Sequence, residues 1–177
     1  QNIKRLIINE VLLFVSALAK PCYAQILFPA LFIYMLIELL ISRGRAFLTG
    51  GALAVTCIPT LVLMIFQFGF YFVDEKDGNR GYEIALFKDW KALSGNIPLS
   101  VLLALCFPIL ISLYCIIIKK TNKYLIFGWL IYLVGAVEMA IFAETGEEAH
   151  YNFTWGYDTG LFFVWFASIY PFLSVSV

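Results

Sequence analysis

The sequence predicts an all-α integral membrane protein: a bundle of about six transmembrane helices with a short interfacial helix on the outer side. Three observations lead there. Hydrophobic residues make up 62% of the 177 and charged residues 14%, at a mean hydropathy of +0.89, too little polar surface for a soluble globule of this size. Apolar runs recur at lengths that approach or exceed the roughly 20 residues needed to cross a hydrocarbon core about 30 Å thick. Short acid-free basic segments alternate along the chain with acidic, aromatic ones.

The runs cover residues 6–19, 22–41, 47–72, 98–118, 124–143 and 159–177. Helices are expected because a backbone in lipid must satisfy its own hydrogen bonds. The first run is the shortest, and Lys20-Pro21 separates it from the second, since proline ends or kinks a helix. Lys4 and Arg5 precede the first run, Arg43 and Arg45 follow the second, and Lys119, Lys120 and Lys123 follow the fourth. Lys and Arg favour short cytoplasmic loops, so these segments and both termini are expected inside. Lys20-Pro21, residues 73–97 and residues 144–158 are then outside.

In the first long outer segment, residues 74–81 form a charged turn. Residues 82–93 are expected as one interfacial helix, with Trp90 and Phe87 at the headgroup level and Lys88, Asp89 and Lys91 toward water. Gly95-Asn96-Ile97-Pro98 ends it and starts the next crossing. Gly69, Gly128 and Gly135 offer close helix approach, none of them counted in a GxxxG pair. The chain reads as a single transmembrane domain over 1–177. Gln1 at the start and a final run that stops at Val177 without a flanking loop lead to the expectation of a longer polytopic protein, completed by further helices or a partner membrane protein.

The segment 144–158 is densest in chemistry. It holds Glu144, Glu147, Glu148, His150, Asn152, Thr154, Trp155 and Tyr157. A carboxylate and an imidazole can share general acid and base work, and aromatic faces can stack on sugar rings; the same aromatics also suit a membrane-boundary belt. Glu10, Glu38 and Glu138 fall inside apolar runs, where an ionisable group is costly and marks a candidate functional position. Glu138 precedes Glu144 by six residues, about 9 Å along a helix, below the outer surface. A polar cavity open to the outside or a structural hydrogen bond to a neighbouring helix both account for it. Lys20 is a fixed charge at the outer boundary, able to bind phosphate, pair with an outer glutamate, or snorkel.

Other classes are set aside. With zero net charge and no basic stripe interleaved with aromatics, nucleic acid is not an expected partner. Cys22, Cys57, Cys106 and Cys115 show no metal-ligand spacing and read as small buried hydrophobes. No metal or cofactor is expected.

Ser16-Ala17-Leu18-Ala19-Lys20-Pro21, the following stretch with Pro29-Ala30, Glu144-Thr145-Gly146, and His150-Tyr151-Asn152-Phe153-Thr154-Trp155-Gly156 together resemble the later half of bacterial polytopic envelope proteins. These are similar to membrane glycosyltransferases of the GT-C type and related polysaccharide-assembly proteins. The resemblance implies a lipid-phosphate-linked saccharide handled at the outer face of the bacterial plasma membrane. The acidic residue that such enzymes carry in an early outer loop has no match here, so no catalytic residue is carried over.

From the residues themselves, Glu138, Glu144 and His150 are the catalytic candidates. Lys20, Arg80, Asn152, Trp155 and Tyr157 are the substrate-binding ones. Two other classes stay open: a transporter or channel with Glu138 as proton or cation site, and a non-catalytic membrane scaffold whose outer loops bind a partner.

Overall fold

The computed structural model describes residues 3–45, 47–72, 81–145 and 151–175. The elements in order are α1 (Ile3–Ala19), α2 (Cys22–Ile41), α3 (Phe47–Thr56), α4 (Ile58–Phe72), β1 (Gly81–Ile84), α5 (Lys88–Leu93), α6 (Ile97–Ile117), α7 (Lys123–Ile141), β2 (Phe142–Thr145) and α8 (Asn152–Val175). The molecule is predominantly helical, with β1 and β2 forming one antiparallel ribbon in which Tyr82 faces Glu144 and Ile84 faces Phe142. Its outer surface is apolar: Leu48 is 83% exposed and Ile117 78%. A hydrophobic surface of that extent belongs against lipid.

Among the described residues, three helices, α2, α6 and α7, are long and apolar enough to cross a membrane, or four segments if the bent α3–α4 pair is one span. The bend is a departure from the single run expected over 47–72. Between Gly50–Thr56 and Ile58–Phe70 the axis turns by 45°, because Pro59 has no N–H for Val55 and its ring would strike that carbonyl. At Pro108 the lost donor is replaced. Pro108 inside α6 leaves the Ala104 carbonyl without its usual partner, and the Trp165 indole N–H of α8 donates to it at 2.8 Å. The Trp129 indole of α7 donates to Ser112 Oγ of α6 at 2.7 Å. Such bonds are the ones lipid cannot supply.

The tightest pairing is α7 on α8. A Cβ at Gly135 would lie 2.5 Å from the Gly156 carbonyl oxygen, and one at Gly160 would lie 2.8 Å from Tyr132 Cα. Backbone therefore meets backbone. Gly156 and Gly160 are a GxxxG pair in α8 that the sequence did not yield, because Gly156 was expected in a loop; α8 begins at Asn152, so residues 152–158 are its first turns. α1 and α4 run parallel, joined by Glu10 to Thr60 and by Gln67 to the Ala17 carbonyl.

Residues 82–93 are not one helix. Residues 81–84 pair as strand with β2, and only Lys88–Leu93 is helical, entered through Phe87 at φ 58°. Trp90 and Asp89 are buried rather than set at headgroup level and in water. Trp90 joins Leu105, Tyr132, Met139, Tyr157 and Val164 in the main core. Of the cysteines, only Cys115 is fully buried, and Cys106 lies on an exposed face.

Candidate functional site

One end of the bundle gathers most of the predicted residues. There the α1–α2 hinge, the β1–β2 ribbon, α5 and the first turns of α8 come together. Ala85 and Phe87 N–H groups donate to the carbonyls of Ile141 and Ala140 at 2.9 and 2.8 Å, tying the segment before α5 to the end of α7. The opposite end carries the basic turns, where Lys123 pairs with Glu38 at 2.7 Å and Tyr34 donates to the same carboxylate at 2.9 Å.

At the acidic end, Lys20 Nζ stands 3.0 Å from the centroid of the Trp155 ring. The ammonium faces the negative π surface, and both side chains remain open; Trp155 is 46% exposed. Behind them, Glu144 is 8% exposed and accepts a hydrogen bond from Asn152 Nδ2. Asn152 sits at the start of α8 and Glu144 in β2, so this bond closes the ribbon onto the helix.

Asp89 of α5 was not singled out among the candidates. It is 4% exposed, and its Oδ2 has no hydrogen-bond partner. Burial, with the charge of Glu144 adding to it, pushes its carboxyl above the ordinary aspartate range. Its neighbour Lys88 is instead held by Glu83, whose carboxylate raises the ammonium pKa. Nothing in the local pattern marks Asp89, because its burial comes from α5 folding against α7 and β2.

Glu138 lies deeper. Gln25 Nε2 of α2 donates to its Oε1, and a Cβ on Gly156 would meet its Oε2 at 2.6 Å. It is thus half-buried where α2, α7 and α8 meet. Tyr157 turns inward, its ring centroid 5.1 Å from that of Trp90 and 5.6 Å from that of Tyr132. Of the two aromatic candidates, Trp155 is therefore the exposed one and Tyr157 the buried one. Arg80 and His150 lie outside the described residues. Among the described residues, no three His, Cys, Asp or Glu side chains gather as metal ligands.

No family model, curated protein or solved structure matches the chain.

Proposed function

We propose that the chain belongs to a bacterial plasma-membrane system for envelope glycan assembly, crossing the membrane six times and taking a lipid-linked saccharide at its acidic end on the extracytoplasmic face. α1 and α8 supply the two crossings beyond the three long helices and the bent pair. One observation carries the reading: an exposed ammonium lying over one face of an exposed indole, backed by the buried Glu144 carboxylate that the Asn152 amide holds. Lys20 would hold the lipid phosphate, with Arg80 as a further cation. Trp155 would stack on a sugar ring, with Asn152 fixing a hydroxyl. Glu144 would orient or deprotonate an acceptor hydroxyl, with His150 from the neighbouring segment as its acid and base partner. Glu138, held by Gln25, would keep α8 and its Trp155 in place.

The test is binding of a polyprenyl-phosphate-linked saccharide to the protein in nanodiscs. Trp155→Ala and Lys20→Ala should each weaken it about tenfold, equivalent to about 1.4 kcal/mol, without altering helicity. Unchanged binding in both variants would sink the proposal.

A second reading, coupled ion transport, is supported by Glu10. Its Oε1 accepts from both Thr60 N–H and Thr60 Oγ1, at 3.0 and 2.7 Å, in the first turn after the break in the α3–α4 span. Broken helices are where transporters place coupling ions. Proton or sodium flux in proteoliposomes that Glu10→Gln abolishes would favour transport over saccharide binding.

A further inference from the structure

The end of the bundle opposite the acidic site carries a groove between α2 and α3. It has a volume of about 170 Å³ and is lined by Phe32, Met35, Leu36, Leu39 and Phe47, together with Gly50 and Gly51. There is open space at Gly51 on the α3 side, where a Cβ meets no atom within 4 Å. All the lining side chains are apolar, so the groove suits hydrocarbon.

Arg43, Gly44 and Arg45 lie in the chain between two of the lining residues, Leu39 and Phe47, in a turn of defined shape. Arg43 has φ 52° and Gly44 φ 88°, both in the left-handed region. Gly44 N–H bonds back to the Leu39 carbonyl at 3.0 Å and Arg43 N–H to the Leu40 carbonyl at 3.2 Å, closing α2 in the manner of a left-handed C-cap. Arg45 Nε donates to the Ser42 carbonyl at 3.2 Å. Arg43 and Arg45 are therefore displayed together, both exposed, on a turn that backbone bonds hold still.

Neither guanidinium meets a carboxylate among the described residues. The acid within α2 closest in sequence, Glu38, is committed to Lys123 and Tyr34. Two cations without a carboxylate partner among the described residues, on the turn next to an apolar groove in the chain, define the chemistry of the occupant. It carries a phosphate at one end and a hydrocarbon chain at the other.

We infer that this groove is a binding site for one anionic phospholipid, with an acyl chain lying between α2 and α3 and the headgroup phosphate held by Arg43 and Arg45. Guanidinium forks match phosphate oxygens, and basic positions beside a membrane helix attract acidic lipids. The inference concerns the other end of the bundle from the proposed saccharide site and stands without it.

Native mass spectrometry of the protein extracted in detergent, delipidated and titrated with phosphatidylglycerol or phosphatidylcholine of the same acyl chains, tests it. The wild type should keep one phosphatidylglycerol with at least a tenfold preference over phosphatidylcholine. Arg43→Gln with Arg45→Gln should erase that preference. Gly51→Leu, whose Cβ meets no atom within 4 Å and whose side chain adds bulk to the groove lining, should lower retention of both lipids about tenfold at unchanged helicity. Equal retention of the two lipids by the wild type would overturn the inference. So would undiminished phosphatidylglycerol binding in Gly51→Leu, which would reduce the site to a surface charge effect. Should the double arginine variant fail to fold, the Gly51→Leu arm and the headgroup comparison on the wild type still decide the matter.

Discussion

Gln25 and Glu138 come from different helices, and the Gln25 amide donates to a carboxylate placed where lipid offers no partner. Whether Glu138 is a strut or a reacting group can be separated by two substitutions. Glu138→Gln keeps an acceptor for the Gln25 amide, so thermal unfolding in detergent should shift little. Glu138→Ala removes the acceptor and leaves a donor unpaired inside a helix contact, which costs about 1–3 kcal/mol, read as a lower midpoint. Equal stability of the two variants would remove the strut. Asp89 makes a different prediction. Its carboxyl is pushed up by burial and by Glu144, so the folded state holds its proton to a higher pH than the unfolded state does. Stability linked to it is therefore largest at acid pH and falls as pH rises from the ordinary aspartate value, about 3.9, through the raised folded value. Asp89→Asn should flatten that part of the stability profile and raise stability at neutral pH; an unaltered slope across pH 4–7 would show that Asp89 is not responsible.

Among the elements, the ones legible in the sequence were those whose cause is local. α2 occupies Cys22–Ile41 as its apolar run predicts, because Pro21 starts it and the Arg43-Gly44 turn ends it. α6 starts behind Asn96, whose side chain accepts from Leu99 N–H at 3.1 Å, one residue from the expected start. What stayed hidden depended on distant chain. Tyr82 and Ile84 take strand geometry because residues 142–145 are there to pair with, and no periodicity over four residues announces that. The GxxxG of Gly156 and Gly160 was present in the sequence but lay under aromatic and acidic residues that resembled a loop. Of the site, Lys20, Glu144, Asn152 and Trp155 were nameable from residue type and position, whereas the burial of Tyr157 and Asp89 needed the packing of α5 and α8. The same logic yields a prediction for α6. The Ala104 carbonyl is left without a helical donor by Pro108 and relies on the Trp165 indole. Trp165→Phe keeps the ring and its stacking position against Phe107 while deleting the donor. It should destabilise the protein by about 1 kcal/mol, and Pro108→Ala, which restores the backbone donor, should recover most of that loss. A Trp165→Phe variant as stable as the wild type would mean that the carbonyl is satisfied otherwise.

At the scale of the whole molecule, the two ends of the bundle differ in charge, and that difference predicts how it sits in a membrane. The turns at Arg43 to Arg45 and at Lys119 to Lys123 lie at one end, where Lys123 and Glu38 join α7 to α2. Lys20, Glu144, Asp89 and Trp155 lie at the other. α1 belongs to the same alternation: its Glu10 and Ala17 contact Thr60 and Gln67 of α4 in parallel register, so α1 must enter from the side from which the α3–α4 pair enters. With basic short loops cytoplasmic, the proposed topology would put the N-terminal Lys4 and Arg5 inside and the acidic end outside. In a variant whose four cysteines are replaced by alanine or serine, single cysteines at Asp77 and Glu147 should react with a membrane-impermeant maleimide in intact cells. Cysteines at Gly44 and Thr121 should react only after permeabilisation. The position that decides the crossing number is Lys4: protection of a cysteine there in intact cells requires α1 to cross despite its 17 residues, about 25 Å at 1.5 Å per residue, a length that local thinning of the bilayer accommodates. Labelling of Lys4 from outside would instead lay α1 along the surface and reduce the crossings to five, and labelling of Asp77 and Glu147 only after permeabilisation would invert the whole bundle and move the proposed saccharide site to the cytoplasm.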